Sequence, residues 1–480
     1  MNLEEIFQKG SFKLLLRTGF SNGTVRRMTL PFAEKKIWQA MVENNPIDFP
    51  FQVRRDKYDI SVAMMHSVAR GLDKGVISKN ALNRLIETLL GNVILSERRQ
   101  RAIDRLGFEP PLFILVSPGK KCNLHCTGCY ACSDSHSAAK LDWDTFDRII
   151  AEKERLWGSH FTVISGGEPF MWQDNDRDIL DMALRHPSQF FLVYTNSTLI
   201  TKSVAKEMAK LGNVTPAISV EGFEQQTDKR RGKGVHKRIL QAMENLREVG
   251  VPFGISVTAT RENADIVTSD EFNDFYFDEQ CATYGWIFQY MPIGRRHTLD
   301  MMVTPQQRLE MYNRTWRTVR EQKIFIADFW NSGTASSGCI SAGRPGGYFY
   351  ITWDGDITPC AFVPYSIGNI YDIFQRGDNL DTILHLPFFE RIRQWQNEYG
   401  YAQPAENVKN WLCPCVIRDH FDVLFNAVRD TNAKPIDEEA VDALADPEYH
   451  SGMIAYGNDY DNLSSKVWDE HYMARQTVNS

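Results

Sequence analysis

Short apolar runs alternate with longer amphipathic segments over the middle of the chain, from about residue 110 to residue 295. The runs have the length of β-strands, and the segments between them repeat their apolar positions at helical spacing. Six strands that alternate with helices predict an α/β fold with a parallel sheet and right-handed crossovers. The predicted strands are 112–116, 161–165, 190–194, 215–220, 253–258 and 286–291. The predicted helices are 142–157, 177–186, 201–211, 236–249 and 270–280.

The first 108 residues follow a helical pattern instead. Leucine and isoleucine recur at helical spacing from Leu82 to Leu90, and Ser78 stands where an N-cap would begin that helix. Another helix is predicted at 60–70. The segment 12–17 is short, basic and apolar. We expect it to be a helix packed on the main domain, with an amphipathic helix at a membrane surface as the alternative.

The alternation stops after about residue 330. Residues 339–368 are rich in Gly, Pro, Tyr and Cys, and residues 431–480 hold ten acidic and three basic side chains. The changes in pattern predict four parts of the chain. These are an N-terminal helical region (1–108), a central α/β domain (109–330), a small cysteine-bearing domain (331–430) and an acidic C-terminal tail of helix and loop (431–480).

The composition is that of an ordinary globular protein, with 43% hydrophobic and 24% charged residues. The apolar runs are strand-sized and fall short of the roughly 20 residues of a membrane span. The first residues lack the basic start and apolar run of a signal peptide, so we expect a cytoplasmic protein. A net charge of −7 argues against binding to nucleic acid.

The charge is unevenly distributed along the chain. Residues 1–121 hold 20 Lys and Arg against 12 Asp and Glu, a net charge of +8, whereas the remainder carries −15. A basic N-terminal part favours an anionic partner, or peripheral contact with the anionic inner face of a membrane. A solvated basic face is the alternative interpretation.

The nine cysteines give the strongest chemical signal. An odd number in a reducing compartment is a poor disulfide framework and is more typical of metal binding. Cys122, Cys126 and Cys129 follow the first predicted strand. Three thiolates at these spacings can hold three irons of a cubic cluster and leave the fourth iron open to another ligand. A zinc site completed by His125 or Cys132 is the alternative.

The sheet edge around these cysteines resembles the radical SAM superfamily over residues 110–295. The loop 122–130 matches the family's C-x-x-x-C-x-x-C motif, and 165–170 resembles its Gly-Gly-Glu segment. The short segments 195–196 and 219–222 follow the third and fourth predicted strands and resemble the family's motifs at the same places. The resemblance implies a partial (β/α)6 TIM-like barrel that binds S-adenosylmethionine (SAM) and a [4Fe–4S] cluster at the carboxyl ends of its strands.

The same resemblance implies roles for individual residues. The segment 165–170 binds the SAM amino group, and its glycines allow close backbone approach. Arg231 corresponds to an arginine that pairs with the SAM carboxylate, and Tyr290 lies on the strand edge that cradles adenine. Glu221 stands where the family has aspartate, and its role is open. The residues expected at the SAM site are Tyr130, Gly166, Gly167, Glu168, Asn196, Ser219, Arg231 and Tyr290.

The C-terminal cysteines indicate a second cluster. Cys339 and Cys360 flank a predicted hairpin, and this stretch resembles the SPASM or twitch extension of radical SAM enzymes, which carries an auxiliary cluster. A full SPASM pattern continues with several more cysteines, whereas this chain offers Cys413 and Cys415. Four cysteines suffice for one auxiliary [4Fe–4S] cluster, which we expect here. Cys281 in place of one of the last pair, and a zinc site, are the alternatives.

Two further features of the sequence are expected to take no part in the chemistry. Cys132 is expected to be an inert thiol. The run Arg-Asp-His at 418–420 is expected to be a salt-bridged helix end, with a catalytic role as the alternative. The use of cobalamin stays open, although no separate cobalamin domain is apparent and none of the histidines stands in an Asp-x-His-x-x-Gly setting.

The resemblance implies reductive cleavage of SAM to a 5′-deoxyadenosyl radical, which takes hydrogen from an unactivated C–H bond. Reduced ferredoxin or flavodoxin is the implied electron donor. The basic, aromatic-rich N-terminal region favours a lipid or other hydrophobic anion as substrate, and a peptide or protein substrate is the alternative. A non-catalytic iron–sulfur electron carrier or scaffold is the alternative from another functional class.

Overall fold

A nine-stranded sheet forms the centre of the computed structural model, which describes residues 23–88, 97–295 and 297–474. The predicted helix at 12–17 and the end of the helical pattern at Leu89 and Leu90 lie outside the described residues. The strands of the main sheet are β1 (Phe113–Val116), β2 (Phe161–Ile164), β5 (Phe190–Thr195), β6 (Val214–Val220), β7 (Gly254–Ala259), β8 (Tyr284–Gln289), β9 (Ile326–Asp328), β10 (Tyr350–Ile351) and β11 (Ile357–Thr358). Two small sheets pair β3 (Gln173–Asp174) with β4 (Arg177–Asp178), and β12 (Tyr365–Ser366) with β13 (Lys434–Pro435).

The six predicted strands lie side by side in the order β1-β2-β5-β6-β7-β8, and all of them are parallel. Leu115 pairs with Val163, and Val163 pairs with Leu192, so adjacent apolar runs are in register. This arrangement confirms the predicted α/β fold with its (β/α)6 core. Beyond the prediction, β9 extends one edge of the sheet, and the hairpin β10–β11 extends the other edge next to β1.

Helices cover the sheet and lie at both ends of the described part of the chain. The α-helices of the described residues are α1 (Gly23–Trp38), α2 (Phe51–Asp73), α3 (Lys79–Leu85), α4 (Glu97–Leu106), α5 (Trp143–Trp157), α6 (Ile179–Arg185), α7 (Lys202–Leu211), α8 (Glu224–Arg231), α9 (Val235–Val249), α10 (Asp270–Asn273), α11 (Pro305–Arg317), α12 (Gly333–Ser336), α13 (Ile370–Gln375), α14 (Pro387–Gln396), α15 (Phe421–Thr431), α16 (Glu438–Ala445) and α17 (Pro447–Trp468). None of the described helices is both long and apolar enough to cross a membrane.

Local chemistry sets the helix boundaries. The first crossover helix, α5, begins where the Asp142 side chain accepts a hydrogen bond from the Thr145 amide at 2.8 Å, and it ends at Gly158 with φ of 60°. Ser78 caps α3 as predicted, accepting from the Ala81 amide at 3.1 Å. Such caps satisfy amides at the helix start that lack partners within the helix.

The N-terminal helix α2 and the segment around Tyr472 meet on the core. Asp56 of α2 is fully buried and accepts hydrogen bonds from the hydroxyls of Thr334 at 2.6 Å and Tyr472 at 2.7 Å. Arg320 pairs with the same carboxylate. The N-terminal helices and the C-terminal segment are therefore fastened to the central domain through one buried acid.

A second buried ion pair joins α11 to the C-terminal cysteine segment. Arg308 and Asp419 are both fully buried at the side chain, and the Arg308 guanidinium lies 3.7 Å from the centre of the Tyr460 ring. Asp419 also accepts a hydrogen bond from the Cys415 amide at 2.9 Å. This pair fixes the position of the backbone that carries Cys415.

Replacing Arg308 with Met should lower the free energy of unfolding by about 3–5 kcal/mol, because it leaves the Asp419 carboxylate buried without its partner. The midpoint of urea unfolding measures the change. The double variant R308M/D419L should recover most of the loss, since it removes both charges. An unchanged midpoint in the single variant would contradict this account.

Candidate functional site

A cavity of about 320 Å³ lies against one face of the main sheet and reaches the loops at the carboxyl ends of its strands. Along each of five strands the lining takes alternate residues, which point to the same face. These residues are Phe113, Leu115, Phe161, Val163, Leu192, Tyr194, Ser256, Thr258, Trp286 and Phe288. The cavity is thus apolar along the strands and more polar at the loops.

Three thiols lie together at the loop end of this cavity. Cys122, Cys126 and Cys129 all line it. Burial, with the neighbouring Glu168 carboxyl and the other two thiols, raises the pKa of Cys122 to about 12. The Asn196 side-chain amide approaches the Cys122 Sγ at 3.8 Å. Three sulfur donors that face one cavity, with a polar neighbour, form a donor set that fits an iron–sulfur cluster.

The cysteine loop is held from two sides. Thr127 and Arg230 exchange two hydrogen bonds of 3.1 Å, from the Thr127 amide to the Arg230 carbonyl and from the Arg230 side chain to the Thr127 carbonyl. The Arg295 side chain donates to the Cys126 carbonyl at 2.8 Å. Gly294 packs so closely that an added Cβ would lie 2.4 Å from the Tyr130 carbonyl oxygen. The loop conformation is therefore fixed by protein contacts.

The Gly-Gly turn after β2 packs against the same loop. A Cβ on Gly167 would lie 2.3 Å from the Lys121 carbonyl oxygen and 2.4 Å from that of Lys120. Gly166 has φ of 119°, a conformation that disfavours other residues. The Glu168 amide then donates to the Lys121 carbonyl at 2.8 Å. The two glycines are required because two backbone segments touch here.

The Glu168 carboxylate, which is predicted to lie at the SAM site, is hydrogen-bonded within the protein. It accepts hydrogen bonds from the Thr195 hydroxyl at 2.7 Å and the Asn196 amide at 2.8 Å, and Glu168 is not among the residues that line the cavity. Burial raises its pKa to about 7, against the lowering effect of these hydrogen bonds. Glu168 thus fixes the turn after β5, which places Asn196 at the cavity.

Glu221 binds two arginines of α8. Its Oε1 accepts from the guanidinium of Arg230 and from the Arg231 Nε at 2.8 Å. Both arginines line the cavity, while Glu221 is 1% exposed behind them. One carboxylate between two guanidinium groups leaves one positive charge for a ligand. The sequence pattern pointed to Arg231 but missed Arg230 and the role of Glu221; the adjacent Arg-Arg pair was the available signal.

The structure brings most of the predicted SAM-site residues to one cavity. Tyr130 is held there by a 2.7 Å hydrogen bond between its hydroxyl and that of Ser165. Of the predicted residues, Glu168 alone is absent from the lining. Those that line the cavity are Tyr130, Gly166, Gly167, Asn196, Ser219, Arg231 and Tyr290.

A second cavity of about 240 Å³ holds three of the C-terminal cysteines. Cys339, Cys360 and Cys415 line it together. The Tyr348 hydroxyl lies 2.9 Å from the Cys360 Sγ, and the Ser341 hydroxyl lies 3.1 Å from the Cys339 Sγ. Burial raises the pKa of the Cys360 thiol to about 12. Burial also raises the pKa of the Cys415 thiol, to a higher value. These thiols again form a donor set that suits a cluster.

Two other candidate ligands lie elsewhere. Cys413 is not among the residues that line the second cavity, and its Sγ lies 4.0 Å from the Gly457 carbonyl oxygen. The alternative Cys281 does not fit, because its thiol lies near the carbonyls of Asp278 and Glu279, ahead of the amino end of β8. In the described part of the chain, no three His, Cys, Asp or Glu side chains have the compact arrangement that a single metal ion needs.

The run 418–420 is structural, as expected, but its salt bridge is long-range. Asp419 pairs with Arg308 of α11, and His420 Nε2 lies 2.9 Å from the Cys413 carbonyl oxygen. Cys132 lies 3.2 Å from the Glu439 carboxylate, and burial raises its pKa to about 12. A raised pKa favours the protonated thiol over the nucleophilic thiolate.

Comparison with known protein families agrees with this geometry. The family model of the radical SAM superfamily matches residues 116–269. The chain carries a radical SAM domain. A model of the SPASM iron–sulfur cluster-binding domain matches residues 339–406. The two matches confirm the predicted cofactors, SAM and [4Fe–4S] clusters in a radical SAM core and a SPASM region. The assignment of individual ligands stays a prediction.

Curated relatives of this chain are named for different reactions. It is 30% identical over 146 residues to Fe-coproporphyrin III synthase of Methanosarcina barkeri, covering 30% of this chain and 36% of that protein. It is 25% identical to the sporulation killing factor maturation protein SkfB of Bacillus subtilis, over 55% of this chain and 63% of SkfB. It is 25% identical to AdoMet-dependent heme synthase of Nitratidesulfovibrio vulgaris, over 60% of this chain and 82% of that protein. The chain thus spans about a third of the first relative and under two thirds of the second.

Solved structures with a similar fold include Streptococcus suis SuiB bound to its precursor peptide SuiA. The TM-score is 0.49 at 17% identity, over 62% of this chain and 70% of that one. Native anSMEcpe with bound AdoMet matches with a TM-score of 0.48 at 15% identity, over 70% of this chain and all of that one.

Replacing Gly167 with Ala should displace the cysteine loop, because the new Cβ would meet two carbonyl oxygens. We expect iron in the anaerobically reconstituted protein to fall from about eight to about four atoms per chain, the loss of one [4Fe–4S] cluster. Colorimetric iron and sulfide analysis measures this. Gly23→Ala is the matched control, since its Cβ would meet nothing closer than 3.6 Å. Full iron content in the Gly167 variant would contradict the prediction.

Proposed function

We propose that the protein is a radical SAM enzyme that takes hydrogen from an unactivated C–H bond of a lipid or other hydrophobic anion. Bound SAM and its [4Fe–4S] cluster would supply the 5′-deoxyadenosyl radical for this step, with an electron from reduced ferredoxin or flavodoxin. The proposed substrate class rests on one observation, the apolar and aromatic lining of the cavity beside the cysteine loop.

In this proposal, the protein's residues position the cofactors. Cys122, Cys126 and Cys129 would hold the cluster through three thiolates and would leave one iron open to SAM. Gly166 and Gly167 admit SAM close to the backbone. The charge that Glu221 leaves uncompensated on the arginine pair of α8 attracts the SAM carboxylate. The remaining lining residues of the SAM site are Tyr130, Asn196, Ser219 and Tyr290, and Glu168 supports them from behind.

The rest of the cavity serves to exclude water and bind the substrate. Phe113, Phe161, Trp286, Phe288 and Phe362 lie along it, away from the charged loops. Arg230 and Arg231 are its charged lining residues, and both are cationic. Apolar walls protect a reactive radical from side reactions, and they bind a hydrocarbon or aromatic body by burial. A substrate with an apolar body and an anionic group matches this lining.

The relatives named for heme and Fe-coproporphyrin III synthesis lend this class further support, because tetrapyrroles of this type are apolar rings with carboxylate groups. The similarity to SkfB favours the alternative, a peptide-modifying enzyme. A non-catalytic iron–sulfur carrier is the remaining alternative, and it needs no SAM cleavage.

Helix α1 supports peripheral contact with an anionic membrane. Met28 and Phe32, one turn apart, are 67% and 54% exposed. Lys35 is exposed on the same side of the helix, and the Lys36 ammonium lies 5.7 Å from the centre of the Phe32 ring. Apolar side chains flanked by basic ones bind anionic lipid surfaces through burial and charge together. Such contact would bring the enzyme to a lipid substrate.

The reconstituted enzyme, incubated anaerobically with dithionite and SAM, should form 5′-deoxyadenosine. Cys126→Ala should reduce the yield at least 100-fold, because it removes one of three cluster thiolates. Chromatography of the nucleosides measures the product. Cys132→Ala is the matched control in the same region and should keep full activity. Equal yields from wild type and Cys126→Ala would contradict SAM cleavage at this cluster. They would favour the alternative of a non-catalytic iron–sulfur carrier.

The protein should float with vesicles that contain anionic phosphatidylglycerol, and the variant M28S/F32S should bind them at least tenfold less, because two exposed apolar side chains are lost. A flotation assay at low salt measures the bound fraction. Leu184→Ser is the control, since Leu184 is 62% exposed on α6. Absence of wild-type binding would contradict membrane contact and favour the peptide alternative.

A further inference from the structure

Tyr348 stands in the wall between the two cavities. It is buried, and it is among the residues that line both of them. Its ring is stacked on that of Phe113, with the ring centres 5.0 Å apart and the planes 9° from parallel. The ring of Phe329 lies edge-on to it at 6.5 Å. These aromatic contacts hold the ring of Tyr348, so the direction of its hydroxyl group is held as well.

The hydroxyl of Tyr348 is directed at a thiol of the second cavity. It lies 2.9 Å from the Cys360 Sγ, and the Phe362 amide donates to the same sulfur at 3.5 Å. A phenol keeps its proton at neutral pH, whereas a cysteine that ligates iron is a thiolate and has none. Once Cys360 binds a cluster, Tyr348 is therefore the donor of this hydrogen bond and the sulfur is the acceptor.

A second hydroxyl contacts a second thiol of the same cavity. Ser341 Oγ lies 3.1 Å from the Cys339 Sγ, and it accepts a hydrogen bond from the Gln396 side chain at 3.3 Å. Because Gln396 supplies the proton of that bond, the hydroxyl proton of Ser341 is available to the Cys339 sulfur. Two of the predicted cluster ligands thus each have a hydroxyl donor.

A buried cation lies beside the Cys339 backbone. Arg344 is 4% exposed, and its Nε donates to the Cys339 carbonyl at 2.5 Å. Its guanidinium lies 4.3 Å from the centre of the Tyr401 ring, which shields it from water. A positive charge is therefore held next to a predicted cluster ligand on the side away from the SAM cavity.

We propose that Tyr348 raises the reduction potential of the auxiliary cluster by donating a hydrogen bond to the Cys360 thiolate. One-electron reduction adds negative charge to a cluster and its thiolates, and burial in an apolar cavity opposes that change. A hydrogen bond to a ligating sulfur is stronger in the reduced state, so it offsets the effect of burial. Ser341 and Arg344 act in the same direction at Cys339.

Tyr348 acts through Cys360 in this inference and is a positioning residue. The inference goes beyond the proposed function, because it depends on the cluster of the SPASM region and not on the identity of the substrate. Phenylalanine at position 348 would keep the ring contacts and lose the hydroxyl alone, which makes the role of the hydrogen bond measurable.

At the wild-type midpoint potential, the ratio of reduced to oxidised auxiliary cluster should fall by roughly threefold to tenfold in Tyr348→Phe, because a hydrogen bond to a charged sulfur is lost. A potentiometric titration of the anaerobically reconstituted enzyme, followed by electron paramagnetic resonance, measures this ratio. The signal that persists in the variant C122S/C126S/C129S identifies the auxiliary cluster.

Tyr350→Phe is the matched control. Tyr350 is also buried and lies two residues further along the chain, but its hydroxyl donates to the Ser117 hydroxyl at 2.8 Å. This variant should keep the wild-type potential. An unchanged potential in Tyr348→Phe, or equal shifts in the two variants, would overturn the inference.

Electron–nuclear double resonance gives a second readout that a purely structural role would not move. In deuterium oxide, the reduced auxiliary cluster of wild type should show a deuterium coupling from the Tyr348 hydroxyl, which should be lost in Tyr348→Phe and kept in Tyr350→Phe. All three proteins should hold about eight iron atoms per chain. Loss of about four iron atoms in Tyr348→Phe would assign Tyr348 to cluster assembly and overturn the inference. Fully loaded wild type that forms no 5′-deoxyadenosine would contradict the proposed function instead, so the two failures are distinguishable.

Discussion

The contact between two backbone segments at the edge of the sheet organises the candidate active site. Gly167 lies against the carbonyls of Lys120 and Lys121, at a distance that leaves no room for a side chain. This contact places the cysteine loop beside the turn after β2. Glu168, the next residue, then reaches the turn after β5 and fixes Asn196. Three loops from neighbouring parallel strands are thus joined by one close approach, and the cysteine positions follow from it.

The sequence predicts the six central strands well, because parallel strands buried on both faces read as continuous apolar runs. The edge strands β9, β10 and β11 were not predicted as part of this sheet, since two or three residues show no periodicity. Motif spacing likewise placed most SAM-site residues at one cavity. It gave no sign that the Glu168 carboxylate accepts hydrogen bonds from Thr195 and Asn196, because these partners are distant in sequence.

The adjacent cysteines show a further limit of sequence reasoning. Cys413 and Cys415 are one residue apart, and their spacing does not tell which thiol enters a cavity. The packing of α17 on this segment decides it, together with the Asp419 carboxylate, which accepts from the Cys415 amide and pairs with Arg308. Both partners come from parts of the chain far from residue 415, so local patterns carry no trace of them. A buried ion pair here specifies position at the cost of desolvating two charges.

The two cavities have chemically different ends and a common apolar wall. In the first cavity, beside the cysteine loop, Glu221 and the arginines of α8 leave a net positive charge. Near the second cavity, the buried guanidinium of Arg418 lies behind the segment that carries Cys415. Aromatic residues such as Trp286 and Phe329 separate these charged ends. A molecule bound across this wall would meet cationic surroundings at its polar group and apolar surroundings along its body, which is the arrangement that holds a hydrophobic anion in one orientation.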